Sequence, residues 1–369
     1  MNLNVTEMQN RIPLKSPPKK LCILRLSALG DVTHVIPVIR QIQNQWPDCE
    51  ITWICGVFEY KFLKLIQGVR FILFDKRQGI RSYLKLRKDL RKEHFDVLLH
   101  MQLSGRANLV SLFVNADIRL GWDNARSREL HHLFINHSVP VALRQHQQDG
   151  FLSFGHALGL SHSPPEWDLP ITENAKQFVD ENISVDKPLL LISACSSHKL
   201  RNWSAQSYAA VADYAINTHN MTVVLSGGPS DIELKMAEAI TKNMKCEALN
   251  LVGKDTLEQL IGLLDRADIV LSPDSGPAHL ANAVGTRVIG LYACTWSKRS
   301  GPYNSQKLCV DKYDEVALTY MSKNAEDLRW GKKIELPDVM DTITVKEVCN
   351  KLDEAMLASS MLASSMLAS

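Results

Sequence analysis

The chain has 369 residues, 45% of them apolar and 22% charged, with a formal net charge of +2. That length exceeds one ordinary domain and predicts two; the composition is that of a globular protein, and the near-balanced charge names no partner. The 8 cysteines are scattered, without a C-x-x-C pair or histidines at zinc spacing, which argues for reduced thiols in a cytoplasmic protein.

Residues 1–20 hold no apolar core of a secretory signal and read as a flexible lead-in. No apolar run approaches the ~20 residues of a membrane-spanning helix, so the expectation is a soluble protein, at most peripheral to a membrane. Short β-branched runs at Leu21–Leu26, Ile51–Cys55, Phe71–Phe74 and Val97–Met101 predict strands. Helical patterns such as Ser82–Lys92 and Ala107–Val114 lie between them. This alternation predicts a parallel sheet covered on both faces, an α/β domain over 21–163. The Pro-rich stretch Ser161–Leu169 marks the boundary.

The alternation then restarts over 164–335. Strands are predicted at Leu189–Ser193, Thr222–Ser226, Ala248–Val252, Ile269–Ser272 and Val288–Leu291, with helices at Ala205–Ile216, Asp231–Lys242, Leu257–Asp265 and Pro277–Val284. Two doubly wound halves of this kind bind ligands outside the carboxyl ends of their strands. A C-terminal helix is expected over 336–355. The repeats of 356–369 read either as a dispensable tail or as a continuation of that helix.

Strand ends therefore direct the search. In SPDSGPAHLANAVG, Ser272–Gly285, a strand runs into Asp274-Ser275-Gly276-Pro277. Pro277 suits the first helical position and Gly285 the residue past the end. Asp274, Ser275 and Gly276 then sit at a helix N-terminus, which attracts phosphate through free N–H groups and the helix dipole. His279 lies in the first turn. Plain capping by Asp274 or Ser275 explains the same residues. In SACSSHKLRNWSAQSY, Ser193–Tyr208, Ser196 and Ser197 offer hydroxyls, Lys199 and Arg201 offer charge, and Trp203 can anchor the loop. A solvated basic loop capped by Ser204 is the alternative. In SGGPSDIEL, Asp231 or Glu233 is placed to meet a ribose hydroxyl, although Gly-Gly-Pro is also ordinary turn chemistry. No Walker A, G-x-G-x-x-G or D-x-D motif occurs, which disfavours a P-loop kinase, an ordinary dehydrogenase and a metal-bound diphosphate. In the first half, Ser27-Ala28-Leu29-Gly30-Asp31 follows the first strand. Asp31 is either a helix cap or a catalyst, and Pro37 leaves open whether the helix starts at Val32 or at Pro37.

Taken together, Ser27–Asp31, the basic loop ending in Asn202-Trp203, and Asp274-Ser275-Gly276-Pro277-x-His279 resemble glycosyltransferase family 9, in particular lipopolysaccharide heptosyltransferases of the type I group. The resemblance runs from about Leu21 to Tyr303. It implies a GT-B architecture of two facing Rossmann-like domains, acceptor on the first and donor on the second. It implies transfer of a heptose from ADP-heptose to a Kdo residue of the lipid A inner core, with inversion, without a metal or other cofactor, at the cytoplasmic face of the inner membrane. Asp31 falls on the family's catalytic base. Asp274, Ser275, Gly276 and His279 fall on its donor-binding turn, and Ser196, Ser197 and Arg201 on the loop that meets the diphosphate. Arg201 stands where a Lys is usual in the type I enzymes, and Lys199 can share its role. Glu233 falls near the ribose-binding carboxylate. Gly30, Arg81, Gln102, Arg106, Arg128 and His146 fall near the acceptor pocket.

The implied step is a single in-line displacement with Asp31 as base, attended by domain closure that excludes water. Eight cations between Lys76 and Lys92 suit anionic headgroups, or form the solvated face of a helix. Nucleic acid is not an expected partner, because no aromatics are interleaved for stacking. The competing readings are a GT-B transferase with another nucleotide sugar or acceptor, and a non-catalytic nucleotide-binding protein in which Asp31 only caps.

Overall fold

A computed structural model describes residues 12, 14–184 and 186–367, with side chains as far as 357. Most of the expected flexible lead-in, residues 1–11 and 13, lies outside the described residues. The chain divides into two compact units, Met1–Pro170 and Ile171–Ser369.

The first unit is built on a six-stranded parallel sheet. Its strands are β1 (Lys20–Leu24), β2 (Glu50–Gly56), β3 (Val69–Phe74), β4 (Phe95–His100), β5 (Ala116–Gly121) and β6 (His137–Ser138), in the order β3-β2-β1-β4-β5-β6. β1 and β4 are apolar almost throughout, as strands buried on both faces must be. Helices α1 (Leu29–Thr33), α2 (Ile36–Gln45), α3 (Val57–Leu63), α4 (Ile80–Leu90), α5 (Gly105–Ser111) and α6 (Gln147–Ala157) complete it. Pro37 is the second residue of α2, where its missing N–H has no helical partner to lose. Neither expected start is the one adopted: Asp31 is the third residue of the short α1, which begins at Leu29, and a separate helix begins at Ile36.

The Pro-rich stretch belongs to this unit. Trp167 is buried and donates its indole N–H to the Thr33 carbonyl at 3.1 Å, and Gln41 and Gln45 of α2 bond Ser163 and Ser161.

The second unit repeats the plan. Strands β7 (Leu189–Ile192), β8 (Thr222–Leu225), β9 (Leu249–Asn250), β10 (Ile269–Pro273), β11 (Arg287–Tyr292) and β12 (Val310–Asp311) lie in the order β12-β11-β10-β7-β8-β9, all parallel. Around them pack α7 (Glu173–Asn182), α8 (Ala205–His219), α9 (Asp231–Asn243), α10 (Leu257–Arg266), α11 (Gly276–Ala283), α12 (Ser297–Ser300), α13 (Tyr313–Met321) and α14 (Val345–Leu367). Helix α14 runs on into the repeats, so the helical alternative is the one adopted as far as Leu367. No helix among the described residues is long and apolar enough to cross a membrane. Each unit thus has the strand order of a doubly wound Rossmann-like sheet, reversing direction between β1 and β4 and between β7 and β10.

Candidate functional site

The reversal between β1 and β4 opens a crevice at their carboxyl ends, and the loops leaving both strands are tied together there. Arg25 donates through Nη1 to the Met101 carbonyl at 2.8 Å. The Gln102 side-chain oxygen accepts from the Leu26 N–H at 2.6 Å, and its amide faces Ser27 Oγ at 3.5 Å. Asp31, in α1, is held from two sides. Arg25 Nη2 lies 2.6 Å from its Oδ2, and the Gln147 amide donates to its Oδ1. Arg25 also lies over the Phe151 ring, 5.4 Å from the centroid. The Ala28 N–H reaches Oδ2 at 3.3 Å, so Asp31 takes a small share in capping. Its firmer partners are an arginine six residues earlier and a glutamine brought in from α6.

Beside this lies a pocket of about 300 Å³, walled by Leu26 and Ser27 and by the residues that follow β2, β3 and β4. Lys61, Lys76, Arg77 and Arg106 give it positive charge, and Gln102 sits at its edge with Glu59 in its wall. Burial pushes the Glu59 carboxyl up. Gly56 is the close approach that lets Glu59 fold in: a Cβ there would meet the Glu59 carboxylate and stand 2.6 Å from the Leu26 carbonyl. Gly56→Ala should therefore cost about 1–3 kcal/mol, read as a lowered denaturant midpoint at unchanged slope.

The expected acceptor residues divide. Gln102 and Arg106 line this pocket, and Gly30 neighbours Asp31 in α1. Arg81 is exposed on α4 and does not line it. Arg128 lines a separate open depression with Asn124, Ser127 and His132. His146 caps α6, accepting from the Gln148 N–H at 3.0 Å. Arg25 and Gln147 were not singled out in the sequence. A lone cation in an otherwise buried apolar run was a signal for Arg25; nothing local marks Gln147.

The second unit gathers its residues at the matching reversal. Arg201, in the loop after β7, lies 3.5 Å from Asp274 Oδ2 after β10, and its Nε and Nη2 both bond Glu335 Oε1 at 2.7 Å. Burial works to raise the Glu335 carboxyl, yet the Arg201 hydrogen bond and charge hold it below its ordinary value. His279 Nε2 is 4.0 Å from Asp274 Oδ1. The helix begins at Gly276, one residue before Pro277, so Pro277 takes its second position rather than its first. Ser275 stands at the N-cap without a side-chain cap bond; its Oγ is paired with Ser272 Oγ at 2.7 Å. The first turn of α11 therefore has no hydroxyl cap from Ser275.

Ser196 shapes the basic loop: its N–H donates to Asn202 Oδ1 at 2.8 Å and its hydroxyl to the His198 carbonyl at 3.1 Å. Ser197 and Lys199 are exposed on it. Trp203 is buried and donates to the Ile343 carbonyl at 3.1 Å, which anchors the loop. Ser204 does cap α8. Glu233 closes the turn after β8, accepting from the Gly228 N–H at 2.8 Å and the Ser230 hydroxyl at 2.6 Å.

Nearby, burial pushes Asp255 up to about 6, although the Ser226 hydroxyl bonds it at 3.0 Å. A raised carboxyl pKa favours the fold below the unfolded pKa of 3.8, and that contribution is lost as pH rises through about 6. Asp255→Asn keeps an acceptor for Ser226. It should stabilise the protein at pH 8 by about 1 kcal/mol, after discounting for solvent screening, and not at pH 3; melting scans at both values check this.

A further cluster, His94, Asp96 and Asp117, has ligand atoms within 4.8 Å of one another, but at the amino ends of β4 and β5. Its Asp96 already accepts from the Lys19 and Lys20 N–H groups.

Residues 83–327 match glycosyltransferase family 9 (heptosyltransferase). The chain is 39% identical over 335 residues to the lipopolysaccharide core heptosyltransferase OpsX of Haemophilus influenzae, covering 91% of this chain and 96% of that one. Its fold is similar to a family 9 glycosyl transferase from Veillonella parvula, with TM-score 0.76 and 20% identity, over 95% of this chain and 99% of that one. It is likewise similar to the Escherichia coli heptosyltransferase WaaC with ADP, with TM-score 0.69 and 17% identity, over 91% and 99%. These likenesses show that the two Rossmann-like units have the fold of family 9 transferases. The family match spans more than half the chain and the OpsX identity nearly all of it, so this protein belongs to glycosyltransferase family 9 and is a transferase of the heptosyltransferase group.

Proposed function

We propose that the protein transfers a heptose from ADP-heptose to a Kdo residue of the lipopolysaccharide inner core, as a type I heptosyltransferase working at the cytoplasmic face of the inner membrane. The observation that carries the acceptor side is the cationic pocket beside Asp31, since Kdo and the lipid A phosphates are anionic. The identity to OpsX, named for the lipopolysaccharide core, supports the same reading.

In the proposed step an acceptor hydroxyl attacks the anomeric carbon and passes its proton to an Asp31 oxygen. The new carbon–oxygen bond forms as the bond to the diphosphate breaks, ADP leaves from the opposite face, and the configuration inverts. Arg25 and Gln147 hold the carboxylate in place. The charge growing on the diphosphate falls to Arg201, Lys199, the hydroxyls of Ser196 and Ser197 and the first turn of α11, with no metal in the step. Glu233 is assigned to the ribose. The likeness to a heptosyltransferase with ADP agrees with an adenine nucleotide.

The test is transfer from ADP-heptose to Kdo-lipid A, with the product read by mass, alongside thermal shifts with ADP, UDP and GDP. A product one heptose heavier and a shift with ADP alone are expected. A preferred UDP or GDP would assign another donor. An ADP shift without transfer to any Kdo-lipid A variant would return the protein to the non-catalytic reading.

A further inference from the structure

The two units differ in charge. Residues 1–170 hold 22 Lys and Arg against 15 Asp and Glu, and residues 171–369 hold 20 against 25. The excess in the first unit lies in residues 76–92, which hold 8 Lys and Arg against one Asp and include α4. One side of that helix, Ser82, Leu86 and Leu90, is buried against the sheet. The opposite side repeats at helical spacing through Ile80, Leu84, Arg87, Lys88 and Arg91, all exposed. Two large aliphatic side chains, 74% and 59% exposed, thus stand among cations that form no ion pair within the chain's described residues.

The neighbouring elements continue the pattern. Helix α5 packs on the same face of the sheet as α4: Leu86 and Leu90 share one core with Ala107 and Val110, and Tyr83 meets Phe113 at 6.2 Å. Leu109 of α5 and Leu112 just past its end are exposed, as are Leu130 and Leu133 in and before the 3-10 turn that adjoins α5.

Exposed aliphatic side chains flanked by unpaired cations are the composition of a surface that lies on anionic lipid: the aliphatic groups enter the acyl boundary while the cations meet the headgroups. Nucleic acid would match the cations but offers nothing to Ile80 and Leu84, and no aromatic ring stands exposed among them for stacking. The 3-10 turn Lys76–Gln78 joins the start of α4 to the cationic pocket, whose wall includes Lys76 and Arg77.

We infer that the outer face of α4, extended by the exposed leucines of α5 and the adjoining turn, is the surface by which this protein docks on an anionic lipid bilayer. The inference rests on the reading that the acceptor is lipid-anchored.

The experiment is sedimentation of the full chain with phosphatidylcholine vesicles, with and without 30% phosphatidylglycerol, for the wild type, Arg87→Gln/Lys88→Gln/Arg91→Gln and Ile80→Ser/Leu84→Ser. The wild type should bind the anionic vesicles and not the neutral ones, and each variant should lose roughly tenfold or more in partitioning. Their melting temperatures, and their transfer to a detergent-dispersed acceptor, should stay at the wild-type level. Equal binding by wild type and variants, or no wild-type binding, overturns the inference. So does binding to a DNA duplex that the variants lose while vesicle binding is absent. A wild type that docks through this face yet transfers no heptose would overturn the functional reading and leave the surface assigned.

Discussion

Asp31→Asn should lower kcat by roughly 10²–10⁴-fold while the affinity for ADP stays at its wild-type value. The amide fills the same space and can still accept from Arg25 or Gln147, so the loop geometry survives. What it lacks is a lone pair basic enough to take the hydroxyl proton. Single-turnover transfer and ADP titration on the same preparation separate the two effects. Near-normal turnover would show that Asp31 only shapes the loop. A companion change sharpens this. Gln147→Ala removes the donor to Oδ1 and leaves the Arg25 contact, so it should slow transfer by roughly tenfold or less, with KM for donor unmoved. Loss of ADP affinity in that variant would count against a positioning role.

Arg201→Ala should weaken ADP binding by about 10–100-fold and lower transfer further. The side chain is only 12% exposed and joins two carboxylates, Asp274 and Glu335, that come from different loops. Removing it takes the guanidinium from both in a partly buried site and leaves them only histidine neighbours, His279 and His198, a change that costs about 3–5 kcal/mol where burial is complete and less here. It also deletes a forked donor that suits phosphate oxygens. Arg201→Lys keeps the charge but cannot bridge both carboxylates in the same plane. Its loss should be smaller in binding and plain in stability. Calorimetric ADP titration of both variants, with thermal unfolding alongside, reads the two contributions. An Arg201→Ala protein with unchanged ADP affinity would remove Arg201 from the donor site.

Much of this was legible along the chain because strand ends are local features. The runs before Asp31, Ser193 and Asp274 are apolar and β-branched, the residues after them change abruptly to Ser, Gly and Asp, and the order of those motifs carried the family resemblance. Helices with a strong one-sided period, such as α4 and α10, were equally readable. Helix α6 was not. It carries two glycines and is buried on nearly every side, so no clean periodic stripe marks it. Helix α1 and the second-position Pro37 were ambiguous because both alternatives obey the same local rules.

The sequence by itself determined the class of the fold, the position of the candidate site motifs at strand ends, and the family. Only the tertiary structure decided which side chains complete them. Gln147 reaches Asp31 across 116 residues and Glu335 reaches Arg201 across 134, and no local propensity encodes such pairs. They exist because a parallel sheet brings the carboxyl ends of sequence-distant strands together. Buried polar groups there must find partners wherever the chain returns.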